Sequence, residues 1–274
     1  MKTSNQLFSL ENKIIVVTGG SGVLGSSFVN AITEAGGTAI IIDLHQENAE
    51  QKAKEITEKG GKAFGYQGNV LDEAALTEVK KQIIEKFGKI DGLVNAAGGN
   101  VPESVINPDQ DVFDDMNIEG MKKALVLNVW GTVIPTKIFG AAMKENGGSI
   151  VNISSVSPKT VLTRVMGYSM GKAAIDIYTK WFAVEVAKRY GDKIRVNAIA
   201  PGFFLTKQNK DLLTNPDGSL TQRSVDILRS TPYNRFGQPE ELNGALIYLL
   251  SDASLFVTGS EIAVDGGFTK YSGV

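Results

Sequence analysis

The chain has 274 residues, 42% hydrophobic and 21% charged, with a formal net charge of −2; it can bury one large core, and the charge balance argues against a nucleic-acid partner. It holds no cysteine and one histidine, His45, which excludes disulfides, thiolate nucleophiles and multi-histidine metal sites, and leaves a serine–histidine triad only to His45. The opening MKTSNQLFSLENK has no apolar core of the signal-peptide kind, and no uninterrupted run of about 18 apolar residues occurs, so a cytoplasmic chain without a membrane span is expected.

Strands are predicted at 14–18 (IIVVT), 39–43, 63–66, 92–95, 149–154 (SIVNIS), 194–199 (IRVNAI) and 261–264. Helix-like stretches fall between them at 24–35, 46–59, 73–87, 121–143, 170–189 and 240–250. The strands are rich in Ile and Val without strict alternation, as strands covered on both faces should be. This order implies an α/β fold of Rossmann type: a doubly wound parallel sheet of about seven strands, helices on both faces, in one domain spanning 1–274. Two polar segments interrupt the pattern, 99–120 and 203–239 (the latter with Asn215-Pro216-Asp217-Gly218). Both read as flaps, the second on the substrate side.

The first strand runs into TGGSGVLG, Thr18 to Gly25, and then into an apolar helix. Glycines let backbone N–H groups approach a pyrophosphate, and the helix N-terminus adds partial positive charge. The second strand ends in Asp43, 24 residues beyond Gly19. A carboxylate there accepts hydrogen bonds from a ribose diol and repels a 2′-phosphate, which favours NAD over NADP. His45 reads as a surface residue near the adenosine rather than a catalyst.

Tyr168 and Lys172, in YSMGK, are four residues apart and share one helical face. A free phenol titrates near ~10, and a nearby ammonium is expected to lower that value, which suits proton transfer to a carbonyl oxygen. Ser155 lies 13 residues earlier, just past SIVNIS. Both can therefore meet at the carboxyl edge of the sheet, where open α/β sheets bind ligands. Asn128, in LNVWG, and the loop VNAAG, 94–98, complete the set.

With these motifs the chain resembles the short-chain dehydrogenase/reductase family over nearly its whole length. Asn128, Ser155, Tyr168 and Lys172 match its catalytic tetrad, Asn95-Ala96-Ala97-Gly98 its NNAG element, and Asn197 with Pro201-Gly202 the segment near the nicotinamide. The resemblance implies Tyr168 as general acid/base, Lys172 as tuner of its pKa and holder of the nicotinamide ribose, Ser155 polarising the carbonyl, and Asn128 positioning a water. It implies a cofactor set of Gly19, Ser21, Gly22, Val23, Leu24 and Asp43 at the first turn, and Asn69 and Val70 by the adenine. Asn95 to Gly98, Tyr168, Lys172, Pro201, Gly202, Phe204 and Thr206 complete it. Two departures stand out. Val23 occupies the usual second glycine position, leaving glycines at 19, 22 and 25, the spacing of the family's longer, extended members, and Asn69-Val70 replaces Asp-Val. Asn69 can still meet an adenine amino group through its carbonyl.

NAIAPGFFLTKQNKDLL, with the closing DGGFTKYSGV, is similar to the D-mannonate oxidoreductase (fructuronate reductase) branch. That similarity implies interconversion of a keto-sugar acid and a sugar acid. A gluconate 5-dehydrogenase or other polyol dehydrogenase, and then a 3-oxoacyl-carrier reductase, are the alternatives; an inactive dinucleotide-binding scaffold is a different class. Specificity is expected from Asn100, Lys159, Arg164 and the 203–239 segment, which carries Lys207, Asn209, Lys210, Arg223, Arg229 and Arg235 and whose cations could pair with a carboxylate. Surplus aromatic residues, among them Trp130 and Trp181, suggest together with the resemblance a homotetramer.

Overall fold

A computed structural model describes residues 2–205 and 213–273. Its sheet comprises β1 (Ile14–Thr18), β2 (Thr38–Asp43), β3 (Lys62–Gln67), β4 (Gly92–Asn95), β5 (Gly148–Ile153), β6 (Ile194–Pro201) and β7 (Glu261–Val264). They lie in the order β3-β2-β1-β4-β5-β6-β7, every pair parallel. Each expected strand is present; β1, β4 and β7 have the expected bounds, and the ends of the other four shift by a residue or two. All residues of β1 and of β6 are buried, which explains their lack of alternation.

The helices are α1 (Ser4–Phe8), α2 (Val23–Glu34), α3 (Gln46–Glu58), α4 (Glu73–Phe87), α5 (Ile118–Leu125), α6 (Gly131–Gly140), α7 (Met166–Tyr190), α8 (Gln222–Arg229) and α9 (Asn243–Leu250). One core joins Phe28 and Ile32 of α2 to Leu246 and Leu249 of α9 on one face of the sheet. The other joins Leu76 and Ile83 of α4, Phe139 of α6 and Val186 of α7. Burying each such side chain contributes roughly 1.5–3 kcal/mol, so both faces of β1 and β4 are fixed in place.

The single helix expected over 121–143 is corrected. α5 gives way to a π turn, Val126–Trp130, before α6, and a 3-10 turn, Ala141–Met143, closes the run. Pro135 lies inside α6 and lacks the N–H an unbroken ladder needs. The run Ile118–Met143 is apolar enough, by length and composition, to cross a bilayer. It packs here as core helices do, against α7 and β4. Within the 203–239 segment lies α8, which the sequence pattern did not suggest; Thr221 caps it by accepting from Ser224 N–H.

The chain reverses direction of travel between β1 and β4, which are neighbours although two strands intervene in sequence. The carboxyl ends of β1, β4 and β5 therefore open onto one crevice, with Gly19, Asn95 and Ser155 at its rim.

Candidate active site

The turn after β1 is held by its own backbone. Gly19 has φ of 63°, and its carbonyl accepts Gly22 N–H at 3.1 Å. A Cβ on Gly25 would lie 2.1 Å from that same carbonyl oxygen, so no larger residue fits there. Gly22 caps α2 without a side-chain bond, leaving the first N–H groups of α2 facing the crevice. Val23, at the unusual position, simply begins the helix. At the end of β2, Asp43 accepts from the Ser21 hydroxyl and, at 3.2 Å, from His45 N–H. Helix terminus, tight turn and strand-end carboxylate together fit a dinucleotide. Asn69 is exposed, its carbonyl already accepting Leu71 N–H at 2.9 Å, while Val70 is buried.

Asn95 points inward. Its amide donates to Thr136 Oγ1 at 2.9 Å and to Asn152 Oδ1 at 2.8 Å, and Asn152 continues to Thr179 at 2.9 Å. Ala97 N–H reaches the Thr18 hydroxyl at 3.2 Å, tying the 95–98 loop to β1. Gly98, φ 156°, could carry no Cβ without meeting Asn128 Oδ1 at 2.9 Å. Asn128 sits in the π turn, a device common at functional sites. Its amide donates to Gly99 O at 2.7 Å and Ala124 O at 2.8 Å, and its oxygen accepts Gly99 N–H at 3.1 Å. Its side chain thus clamps the loop rather than standing free for a water.

Ser155, Tyr168 and Lys172 come together. Ser155 is buried and accepts Ser157 N–H at 3.1 Å, which leaves its own O–H to donate. The Ser155 hydroxyl lies close enough to that of Tyr168 to favour its phenolate. Lys172 is buried, its ammonium donating to Ile153 O at 2.7 Å and lying 5.5 Å from the centre of the Tyr168 ring. Burial pulls that ammonium down to about 8, against the carboxylate of Asp176, which raises it. The expected lowering of the phenol is corrected: burial pushes Tyr168 above its ordinary value, against the neighbouring Ser155 hydroxyl. A phenol that keeps its proton is an acid, suited to reduction of a carbonyl.

Of the substrate cations, Lys159 and Arg235 are engaged inside the chain. Lys159 pairs with Asp176 at 2.6 Å and Glu261 at 2.7 Å, and Asp176 also accepts from the Ser154 hydroxyl. Arg235 pairs with Glu241 at 2.6 Å. Both therefore already have carboxylate partners within the chain. Arg164 stays four residues ahead of Tyr168, donating to Asn107 Oδ1 at 2.7 Å. Asn100 accepts from Ser104 at 2.7 Å. Pro201 and Gly202 stitch β6 to the Ser155 loop and to β7, through Val156 N–H and Val264 O. The Phe204 side chain packs into the core, and Asn197 ties β6 to Val257 and Ser260. Thr206, Lys207, Asn209 and Lys210 lie outside the described residues. Asp176, Asn152 and Thr179 carried no motif signal in the sequence.

Comparison with known proteins gives a consistent set. The family described as enoyl-(acyl carrier protein) reductase matches residues 21–269. UxuB, an uncharacterized oxidoreductase of Bacillus subtilis (strain 168), is 41% identical over 97% of this chain and 98% of its own. A Haemophilus influenza protein assigned as a D-mannonate oxidoreductase, with bound NAD, has a TM-score of 0.91 at 41% identity, covering 99% of this chain and 100% of its own. A gluconate 5-dehydrogenase from Burkholderia cenocepacia, in complex with NADP and tartrate, has a TM-score of 0.86 at 28% identity, covering 97% and 99%.

Proposed function

The chain belongs to the short-chain dehydrogenase/reductase family and is an oxidoreductase, and from that premise we propose that it interconverts a keto-sugar acid and a sugar acid, of the fructuronate/D-mannonate type, with NAD(H). The observation that carries the chemistry is the buried Lys172 ammonium 5.5 Å from the centre of the Tyr168 ring, with the buried Ser155 hydroxyl beside that of Tyr168. The observation that supports the acid is Arg164, a cation nominated from the sequence that lies four residues ahead of Tyr168 and, among the described residues, has no carboxylate partner.

When bound, NAD(H) supplies or accepts the hydride. The glycine turn at 19–25 and the α2 N-terminus would hold its pyrophosphate, Asp43 its adenosine ribose and Lys172 its nicotinamide ribose. Ser155 donates to the carbonyl oxygen and aligns it with the Tyr168 hydroxyl. Tyr168 gives its proton to that oxygen, and Lys172 stabilises the phenolate left behind. Asn128 keeps the 98–99 loop closed against α5, which excludes side chains from the space beside Lys172.

The Burkholderia structure supports gluconate 5-dehydrogenation as a second reading, since a gluconate enzyme of the same fold was crystallised with a dicarboxylate. Asp43 favours NAD in either case. NADH oxidation measured in parallel with fructuronate, 5-ketogluconate and acetoacetyl thioester tests the choice. The expected result is a kcat/KM for fructuronate at least about ten-fold above the others. Equal efficiency with the thioester contradicts the sugar-acid reading and leaves the family-level activity.

A further inference from the structure

Two arginines converge where the two flap segments meet. Arg164 immediately precedes Val165, the N-cap of α7, and has φ of 78°, uncommon for a residue with a Cβ. Its carbonyl accepts Ile106 N–H at 3.0 Å and its Nη2 donates to Asn107 at 2.7 Å, so it is locked to the 99–120 flap. Arg223, on α8 of the 203–239 flap, reaches the same turn from the other side. Its two terminal nitrogens approach Thr163 Oγ1 and Thr163 O, both at 3.4 Å, which are long contacts.

Neither arginine has a carboxylate within ion-pair distance among the described residues, whereas Arg189 and Arg235 each have one. Among the described residues the buried Nε of Arg164 has no partner. Burial, and then the like charge of Arg164, hold Arg223 below its ordinary pKa. Among the described residues no counter-ion accompanies the two guanidinium groups, which repel each other, and a bound anion turns that repulsion into attraction. A carboxylate offers two oxygens with about four lone-pair sites, enough to take a planar fork from each arginine.

We propose that Arg164 and Arg223 form a two-arginine seat for the substrate carboxylate, with Arg223 the specificity-determining residue contributed by the 203–239 flap. This rests on the acidic-substrate reading above. Phosphate esters share the anion chemistry, and the test separates the two.

The test compares wild type, Arg223→Gln and Arg223→Lys, each checked for folding by thermal unfolding. The kcat/KM is measured for fructuronate and for D-fructose, which has a hydroxymethyl group in place of the carboxylate. Calorimetry then measures binding of D-mannonate and of inorganic phosphate without turnover. Arg223→Gln is expected to cut the acid-over-neutral preference roughly ten- to a hundred-fold, and to weaken D-mannonate binding in parallel. Arg223→Lys, which keeps the charge and loses the fork, should lose less. Should wild type prefer fructuronate while Arg223→Gln keeps that preference in full, the two-arginine seat is overturned and the acidic substrate stands. Should wild type show no preference, the substrate reading falls, and the seat is judged by the titrations. Anion binding lost in Arg223→Gln, phosphate included, then supports it, and binding retained overturns it.

Discussion

Asp176 lies one helical turn beyond Lys172 on α7, and its carboxylate counteracts the burial that drains charge from that ammonium. Both of its oxygens are engaged, one by the Ser154 hydroxyl and one by Lys159. The carboxylate is thereby fixed in position rather than free to swing away.

The first prediction is a pH profile. Reduction needs Lys172 as the ammonium, so kcat/KM should fall as pH rises through about 8. Asp176 raises the Lys172 pKa, so Asp176→Asn should move that alkaline limb to lower pH. A limb that stays put, or moves up, contradicts the assignment of Asp176 as a positioning residue.

The sheet and the catalytic pair were legible in the sequence because both have a local signature. Strands such as 14–18 are short runs of Ile and Val between turn residues, and Tyr168 and Lys172 share a face through spacing alone. Asp176 has no such signature: an aspartate within a helix reads as a solvated residue until Ser154 and Lys159 are seen against it. Lys159 read as a substrate cation because its partner Glu261 is 102 residues away, on β7. The π turn around Asn128 was hidden by the helix-like apolar pattern of 121–143, and α8 was hidden by the polar residues of the 203–239 segment.

A second prediction concerns the phosphate turn. Gly25→Ala places a methyl 2.1 Å from Gly19 O, so the turn or α2 must shift. Overpacking of this kind costs roughly 1–3 kcal/mol, and NADH affinity should fall with it. Denaturant unfolding and NADH fluorescence titration measure the two effects. Unchanged stability together with unchanged affinity contradicts the tight-turn geometry.

Cofactor choice is the third. Asp43→Ala removes the acceptor at the end of β2, so NAD affinity should weaken roughly ten-fold and its advantage over NADP should narrow. Steady-state kinetics with both cofactors measures this. A wild-type preference for NADPH contradicts the role of Asp43.

The fourth concerns assembly. Trp130 is 52% exposed, Trp181 58% and Ile177 64%, and Ile177, Trp181 and Val184 repeat at helical spacing along α7. An apolar stripe of this kind matches a two-fold helix-pair interface in a symmetric tetramer. Light scattering at micromolar concentration should give about four times the 29.3 kDa chain mass, and Trp181→Glu should lower it. A strictly monomeric wild type contradicts this.

The most direct test of the central claim, that Tyr168 is the proton donor for carbonyl reduction, is Tyr168→Phe, assayed for turnover and for NADH binding on the same preparation. The ring and its packing remain while the hydroxyl beside Ser155 is lost. Turnover should fall by roughly two to four orders of magnitude, with the NADH Kd changed only a few-fold. Retention of most wild-type turnover contradicts the account.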